Sequence, residues 1–235
     1  MSDTHQIYQG FADRYEALVH REDYQGRLLP AVLVISDLQG KDVLELGAGT
    51  GRLTRLLAPL AGRLIGTDLS FHMLSYGKSL LAGSTPDRWA FNLASHLALP
   101  YADGSADLVI SGWSFCYAAI DQGKNWRAGL EKALNEARRV LRPGGVLILI
   151  ESLGTGFEQP DRPPVLVDYL RYLDEHGFDS TWIRTDYCFK DQAEAEDLTR
   201  FFFGEASMPM WDTDAGVIVP ECTGLWWQKS PPINF

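Results

Sequence analysis

Three glycines at alternate positions stand where an apolar strand must turn into a helix. In "KDVLELGAGTGRLT", residues 41–54, the run Asp42–Leu46 has the length and apolar character of a buried strand, and residues 52–60 have helical spacing. Between them lies Gly47-Ala48-Gly49-Thr50-Gly51. Glycine adopts positive φ without strain and lets another group approach the main chain closely. The helix that follows points its free N–H groups and the positive end of its dipole back toward the turn. Such a turn is built for a ligand that lies against the backbone. The next strand, residues 63–70, carries Asp68 near its tip, 17 positions after Gly51. A carboxylate there can accept both hydroxyls of a ribose, so the pair of features predicts a nucleoside-type cofactor. The spacing GxGxG differs from the GxGxxG dinucleotide fingerprint, in which the third glycine falls one position later.

The same alternation continues along the chain. Residues 89–99 read as a short strand passing into a loop, residues 106–113 as a strand and residues 145–152 as another. Residues 71–81 read as a helix, and "WRAGLEKALNEARRVL" at 126–141 is an amphipathic helix stopped by "RPGG". Strands alternating with helices of this length predict an α/β fold, a parallel sheet covered on both faces with right-handed crossovers. The first forty residues read as helix with a break near Gly26 and Pro30. Beyond Ser152 the pattern loosens into a proline-rich loop at 155–164, a helix at 165–177, a strand at 180–189, a helix and loop, and a strand at 224–230 that pairs with the earlier one. No repeat, low-complexity tract or linker divides the chain, which predicts a single domain over 1–235. Within it, residues 1–40 form a helical lid, 41–152 the cofactor-binding core and 153–235 a hairpin with an acceptor-site insertion.

Composition narrows the partners. The longest apolar run, "GVLILI" at 145–150, is far too short to span a bilayer, and the N-terminus lacks the basic and apolar regions of a signal peptide. The cysteines at 116, 188 and 222 form no CxxC pair, which argues against a disulfide framework or zinc cluster and fits a cytoplasmic location. Residues 1–150 hold 15 Lys+Arg and 15 Asp+Glu, whereas 151–235 hold 6 and 16, so the whole net charge of -10 lies in the C-terminal part. That balance argues against nucleic acid as a partner. It reads as a solvated acidic surface or as a rim attracting cationic acceptors.

Four segments in order, "VLELGAGTGRLT", the acidic tip of "GTDLS", "LPYADGSADLVIS" and "EARRVLRPGGVLILIE", resemble the successive motifs of the class I S-adenosylmethionine-dependent methyltransferases. The likeness is greatest to small-molecule enzymes with an "ELGCGTG"-type loop, and it covers residues 40–152. The resemblance implies a Rossmann-like doubly wound sheet of seven strands, five parallel plus a C-terminal antiparallel hairpin, with N-terminal helices and a C-terminal cap insertion. It implies S-adenosyl-L-methionine as cofactor and S-adenosyl-L-homocysteine as product. Gly47, Ala48, Gly49 and Gly51 would line the methionine and ribose part, Asp68 would hold the ribose hydroxyls, and Leu69 would pack on the adenine. Glu45 would orient the glycine loop or the cofactor ammonium, and Tyr15 would reach the cofactor from a helix folded over it. In the family an acid after the third strand accepts the adenine amino group. Here the aligned position is Ser95, followed by His96, with Asn92 upstream; each accepts less strongly than a carboxylate. His96 reads as a loop histidine beside the adenine or as a catalytic base.

The segment from Ser111 to Tyr117, "SGWSFCY", sits where the family places the transferring methyl, with Ser111 on the cofactor side and Trp113 and Tyr117 toward the acceptor. It lacks the Asn/Asp-Pro-Pro-Tyr and Pro-Cys signatures of nucleic-acid and protein-glutamine methyltransferases, and Cys116 reads as a buried thiol. No spacing fits metal ligands. Methyl transfer from a sulfonium neutralises charge, so alignment does most of the work and no catalytic residue is assigned. The reading is methyl transfer to oxygen or nitrogen of a small molecule, by a monomer or homodimer with no membrane partner. A nicotinamide-dependent oxidoreductase and a non-catalytic cofactor-binding module are the alternatives.

Overall fold

The computed structural model describes residues 4–83, 88–120, 123–205 and 208–231. Three short helices come first, α1 (Thr4–Gly10), α2 (Ala12–Val19) and α3 (Leu28–Ile35). The breaks fall at Phe11 and over residues 20–27; Pro30 does not break a helix but sits in the first turn of α3. A missing N–H costs no helical bond there. Then follow β1 (Asp42–Leu46), α4 (Arg52–Leu57), β2 (Arg63–Asp68), α5 (Phe71–Leu81), β3 (Trp89–Leu93), β4 (Ala106–Gly112), α6 (Tyr117–Ile120), α7 (Trp126–Val140) and β5 (Leu141–Thr155). The C-terminal part adds α8 (Val167–Glu175), β6 (Asp179–Arg184), β7 (Tyr187–Phe189), α9 (Gln192–Phe203), β8 (Trp211–Thr213), β9 (Gly216–Val219) and β10 (Glu221–Lys229).

The main sheet has seven strands in the order β3-β2-β1-β4-β5-β10-β6. β1 pairs in parallel with β2 on one side and β4 on the other, and β10 runs antiparallel to both β5 and β6. The central strands β1, β4 and β5 are mostly buried because both faces are covered, whereas the edge strands β3 and β6 are largely exposed. On one face Leu130, Ala133, Leu134, Ala137 and Val140 of α7 pack with Tyr169, Leu170 and Leu173 of α8. On the other, Leu28 and Val32 of α3 and Leu53 and Leu57 of α4 cover Val43, Leu108 and Ile148. The strand order reverses at β1, and ligands of such sheets bind outside the carboxyl ends at that point. The opposite end is closed by Arg142, which donates to Asp42 and Asp107 at 2.7 Å each.

Two elements differ from the reading of the sequence. β5 begins at Leu141, not at Gly145, because Leu141 already pairs with Ala106; the register then slips before Leu108, so "RPGG" is an irregularity within the strand. The stretch 180–189 is not one strand but two, in different sheets. Asp186 turns the corner, accepting from the Arg184 guanidinium at 2.7 and 2.9 Å and from the Glu221 N–H at 3.0 Å. β6 stays in the main sheet, whereas β7 joins β9 and β8 in a small antiparallel sheet. The C-terminal pair β6–β10 is therefore split by an insertion of α9 and the small sheet. That insertion shares its apolar core with α2 through Leu18, which packs among Tyr187, Phe189, Leu198 and Val219. No described helix is long and apolar enough to cross a membrane.

Candidate functional site

The glycine turn leaves β1 with φ of +73° at Gly47 and +54° at Gly49, a region that favours glycine. The N–H groups of Gly47 and Ala48 both donate to the Thr67 carbonyl, at 2.7 and 2.8 Å, which ties the turn to the end of β2. At that end Asp68 accepts from the N–H of Gly49 at 2.9 Å and of Ser70 at 2.8 Å. Burial raises its pKa, and these backbone bonds oppose the shift. A carboxylate offers about four acceptor positions, so Asp68 keeps capacity for a ligand.

These groups open on a cavity of about 280 Å³. Of the residues singled out from the sequence, Tyr15, Gly47, Gly49, Asp68, Leu69, Ser95, His96, Trp113 and Tyr117 line it. Gly49 leaves it room, since an added Cβ would meet only the Met73 methyl at 3.7 Å. Leu69 is 72% exposed, with its side chain free to cover a flat ring. Ser95 accepts the Leu97 N–H at 3.2 Å and keeps a second lone pair. Asn92 donates to the Tyr101 hydroxyl at 3.0 Å and does not line the cavity.

Four residues assigned to the cofactor side lie outside the cavity wall. Glu45 points beneath the turn, where it accepts from the Thr54 hydroxyl of α4, so it fixes the helix to the strand and does not face the cavity. Ala48 packs beneath Gly66, where an added Cβ would come within 2.9 Å of the Ala48 Cβ. Gly51 faces the packing of α5 on β3, and a Cβ there would lie 2.8 Å from Leu81 and 3.0 Å from Phe91. Ser111 is fully buried and donates to the Leu46 carbonyl at 2.9 Å, joining β4 to β1.

The cavity wall also contains residues not singled out, among them Tyr8, Gln9, Ser70, Met73 and Ser114. The Tyr8 hydroxyl lies 3.1 Å from that of Tyr117, and its ring meets Tyr15 edge-on at 5.5 Å. Tyr8 and Tyr15 lie on separate helices, α1 and α2, so helical spacing does not reveal the first from the second. Ser114 packs directly against Gly47, and its hydroxyl is 3.1 Å from Nε2 of His96. His96 stacks on Phe115 at 5.7 Å, and burial lowers its pKa to about 4, so the imidazole is neutral at physiological pH. The Trp113 backbone is left-handed, with φ of +52°, and its ring lies 4.1 Å from the Arg52 guanidinium carbon. None of the described aromatic residues beyond Ser152 lines the cavity; Tyr169 and Trp226 are core at 2% exposure.

Residues 44–149 match the family described as "Methyltransferase domain". The chain is 32% identical to the demethylmenaquinone methyltransferase of Clavibacter sepedonicus over 139 residues, 59% of this chain and 50% of that one. It is 35% identical to the ubiquinone/menaquinone biosynthesis C-methyltransferase of Hahella chejuensis over 135 residues, 55% of this chain and 48% of the relative. It thus spans about half the length of the curated relatives it matches. A crystal structure of a putative methyltransferase from Bacillus halodurans superposes with a TM-score of 0.57 at 18% identity, covering 86% of this chain and 98% of that one. Residues 44–149 are thus similar to a methyltransferase domain, and the chain shares its fold with the Bacillus halodurans structure.

Glu45 gives this core a pH dependence. Burial, with a smaller push from Asp68, raises its carboxyl to about 8, against the opposing bond from Thr54. A carboxyl whose folded pKa is raised stabilises the fold below the unfolded value and loses that stability as pH climbs toward 8. Glu45→Gln, which cannot ionise, is expected to gain roughly 2–4 kcal/mol relative to the parent between about pH 5 and pH 8. Urea unfolding of both proteins at the two pH values measures it; parallel curves would remove the assignment.

Proposed function

We propose that the protein transfers a methyl group from S-adenosylmethionine to a small-molecule acceptor and works as one unit over residues 1–235. The observation that carries this reading is the Asp68 carboxylate, fixed by the Gly49 N–H and turned to a cavity walled by Gly47 and Gly49. In this reading Asp68 accepts the two ribose hydroxyls, while the bare backbone of Gly47 and Gly49 borders the methionine part. Leu69 covers the adenine, and Ser95 offers its remaining lone pair to the amino group. Tyr8, Gln9 and Tyr15 cover the cavity from α1 and α2 and keep water out. Bound there, the cofactor supplies an electrophilic methyl group whose sulfonium charge disappears on transfer. The protein therefore needs alignment more than charge stabilisation. His96, neutral and beside Ser114, is held at a pKa of about 4, which makes it a weak base, so it is given the wall beside the adenine and no proton transfer.

The acceptor atom follows less directly. Oxygen and nitrogen are the acceptor atoms of this reading, and one relative is named a C-methyltransferase, which adds carbon as a third candidate. The family match ends at residue 149, before β6, the insertion and β10, so acceptor choice rests on this chain's own residues. The test is S-adenosylhomocysteine release against a metabolite extract split into cationic, neutral and anionic fractions, with the methylated atom located by NMR. Turnover in none of them, with tight cofactor binding, would favour a binding module instead.

Asp68→Ala is expected to weaken S-adenosylhomocysteine binding by roughly 1–3 kcal/mol, the scale of charge-assisted hydrogen bonds. Calorimetry showing unchanged affinity would end the ribose assignment.

A further inference from the structure

Away from Asp68, the cavity wall carries a pair of tyrosine hydroxyls that the reading above uses only as a cover. The Tyr8 carbonyl accepts the Ser70 hydroxyl at 2.7 Å, next to the end of β2, while the Tyr8 hydroxyl lies 3.1 Å from that of Tyr117, just beyond β4. In the sheet β1 separates β2 from β4, so the Tyr8 side chain spans the cavity from the Asp68 side to the β4 side. The Tyr15 ring meets Tyr8 edge-on, and Trp113 and Ala118 belong to the same wall. The family match begins at residue 44, so Tyr8 and Tyr15 come from outside it.

Charge is what the β4 side lacks. Among the described residues of the wall, Asp68 is the one charged side chain: His96 is neutral, with its pKa near 4, and burial holds the Tyr8 and Tyr15 phenols above their ordinary range. The net positive charge of a bound cofactor answers Asp68 and leaves nothing over. Arg52 does not help, because it stands behind the Trp113 ring at 4.1 Å and is paired with Glu22 at 2.6 Å, in a buried cluster with Tyr187 and Glu221. None of the described acidic residues beyond Ser152 lines the cavity. An ionic acceptor would therefore be buried without a counter-charge, and a cation would also face the sulfonium. The hydroxyl pair suits a neutral polar group instead. A phenol hydroxyl has one proton and lone pairs that accept. When Tyr117 is the donor in their mutual bond, Tyr8 still has its own proton to give; when Tyr8 is the donor, it still has a lone pair.

We propose that the methyl acceptor is an uncharged molecule with a hydroxyl or carbonyl oxygen, and that this oxygen hydrogen-bonds to the Tyr8–Tyr117 hydroxyl pair on the β4 side of the cavity. Tyr15 and Trp113 border the apolar remainder of the acceptor. The inference rests on the methyltransferase reading and deepens it by naming the charge class of the substrate. The acidic C-terminal part is then a solvated surface and not a rim that gathers cationic acceptors.

Three probes share a phenol ring and differ in charge: 4-ethylphenol is neutral, tyramine is a cation and 4-hydroxyphenylacetate is an anion. Each is titrated by ligand-observed NMR at neutral pH into the full chain loaded with sinefungin, a cofactor analogue with a protonated amine in place of the sulfonium methyl. The expected result is that 4-ethylphenol binds about tenfold or more tighter than either ion. Tyr8→Phe and Tyr117→Phe should each weaken it about tenfold, the scale of one lost hydrogen bond. The comparison of the three probes uses the unmodified protein, so it decides the charge class even where a variant fails to fold. Equal or tighter binding of tyramine or 4-hydroxyphenylacetate, no binding of 4-ethylphenol, or undiminished affinity in either folded variant would each overturn the proposal. Failure of the methyltransferase reading itself shows separately, as a protein that binds neither sinefungin nor S-adenosylhomocysteine.

Discussion

Gly47→Ala is expected to abolish useful cofactor affinity. The added Cβ would lie 1.9 Å from the Ser114 hydroxyl oxygen and 2.2 Å from its Cβ, contacts that no side-chain rotation relieves because one of the atoms is Cβ itself. The backbone φ of +73° adds strain that alanine does not escape. Overpacking costs about 1–3 kcal/mol and a left-handed non-glycine residue about 1–3 more. Ser114 must retreat, and it carries His96 with it through their 3.1 Å bond, so the far wall of the cavity moves as well. A loss of ~3 kcal/mol from binding alone is about a hundredfold in affinity. Calorimetry with S-adenosylhomocysteine and thermal unfolding together measure how the cost divides. The double variant Gly47→Ala with Ser114→Gly removes both clashing atoms and leaves only the strain, so it should recover a large part. Gly49→Ala meets nothing nearer than 3.7 Å and should cost the strain alone. If the two single variants behave alike, close packing of Ser114 is not what requires glycine at 47.

That contrast shows what the sequence holds and what it hides. Strand, glycine turn, helix and the acid at the next strand tip are local patterns, and residues 42–68 fold as their spacing predicts. The alternation also foretells the doubly wound sheet, because each element carries its own apolar period. Yet the three glycines looked equivalent. Gly47 and Gly49 border the cavity, whereas Gly51 is required by Leu81 and Phe91, which lie 30 and 40 positions away in the chain. The resemblance sets Ser111 beside the cofactor and Glu45 as an orienter of the glycine loop or the cofactor ammonium, but in a strand successive side chains point to opposite faces, and both are bonded within the core. The corner at Thr185 and Asp186 was equally hidden. Alternation runs through residues 180–189 without a glycine or proline, and only the bonds from Arg184 and Glu221 divide it. The Arg52 cluster joins residues 22, 52, 187 and 221, separations across which composition and periodicity carry no information.

Glu22→Ala tests that cluster directly and is expected to destabilise the protein by about 3–5 kcal/mol, the cost of stranding one member of a buried ion pair. For a chain of this size each kcal/mol moves the midpoint about 2–4 °C, so a fall in Tm of roughly 6–20 °C is expected. The Arg52 guanidinium, 13% exposed, cannot swing into water without uncovering the Trp113 ring that it packs against. Its neighbour in the chain is Gly51, so any retreat pulls on the cofactor turn and S-adenosylhomocysteine affinity falls with stability. The paired replacement Glu22→Leu with Arg52→Met removes both charges and should restore most of the stability, since an apolar pair of similar volume leaves no charge unpaired. Glu221 supplies an internal check. Without Glu22 it loses the like charge that helps to keep it neutral and gains an unpaired cation nearby. Its folded pKa then drops, so above that value its carboxylate stands in for Glu22. The deficit of Glu22→Ala should therefore shrink as pH rises and widen as it falls. A deficit below about 1 kcal/mol would put the pair in the range of exposed surface bridges and deny Arg52 its buried charge. A deficit that ignores pH would place Glu221 outside the reach of Arg52.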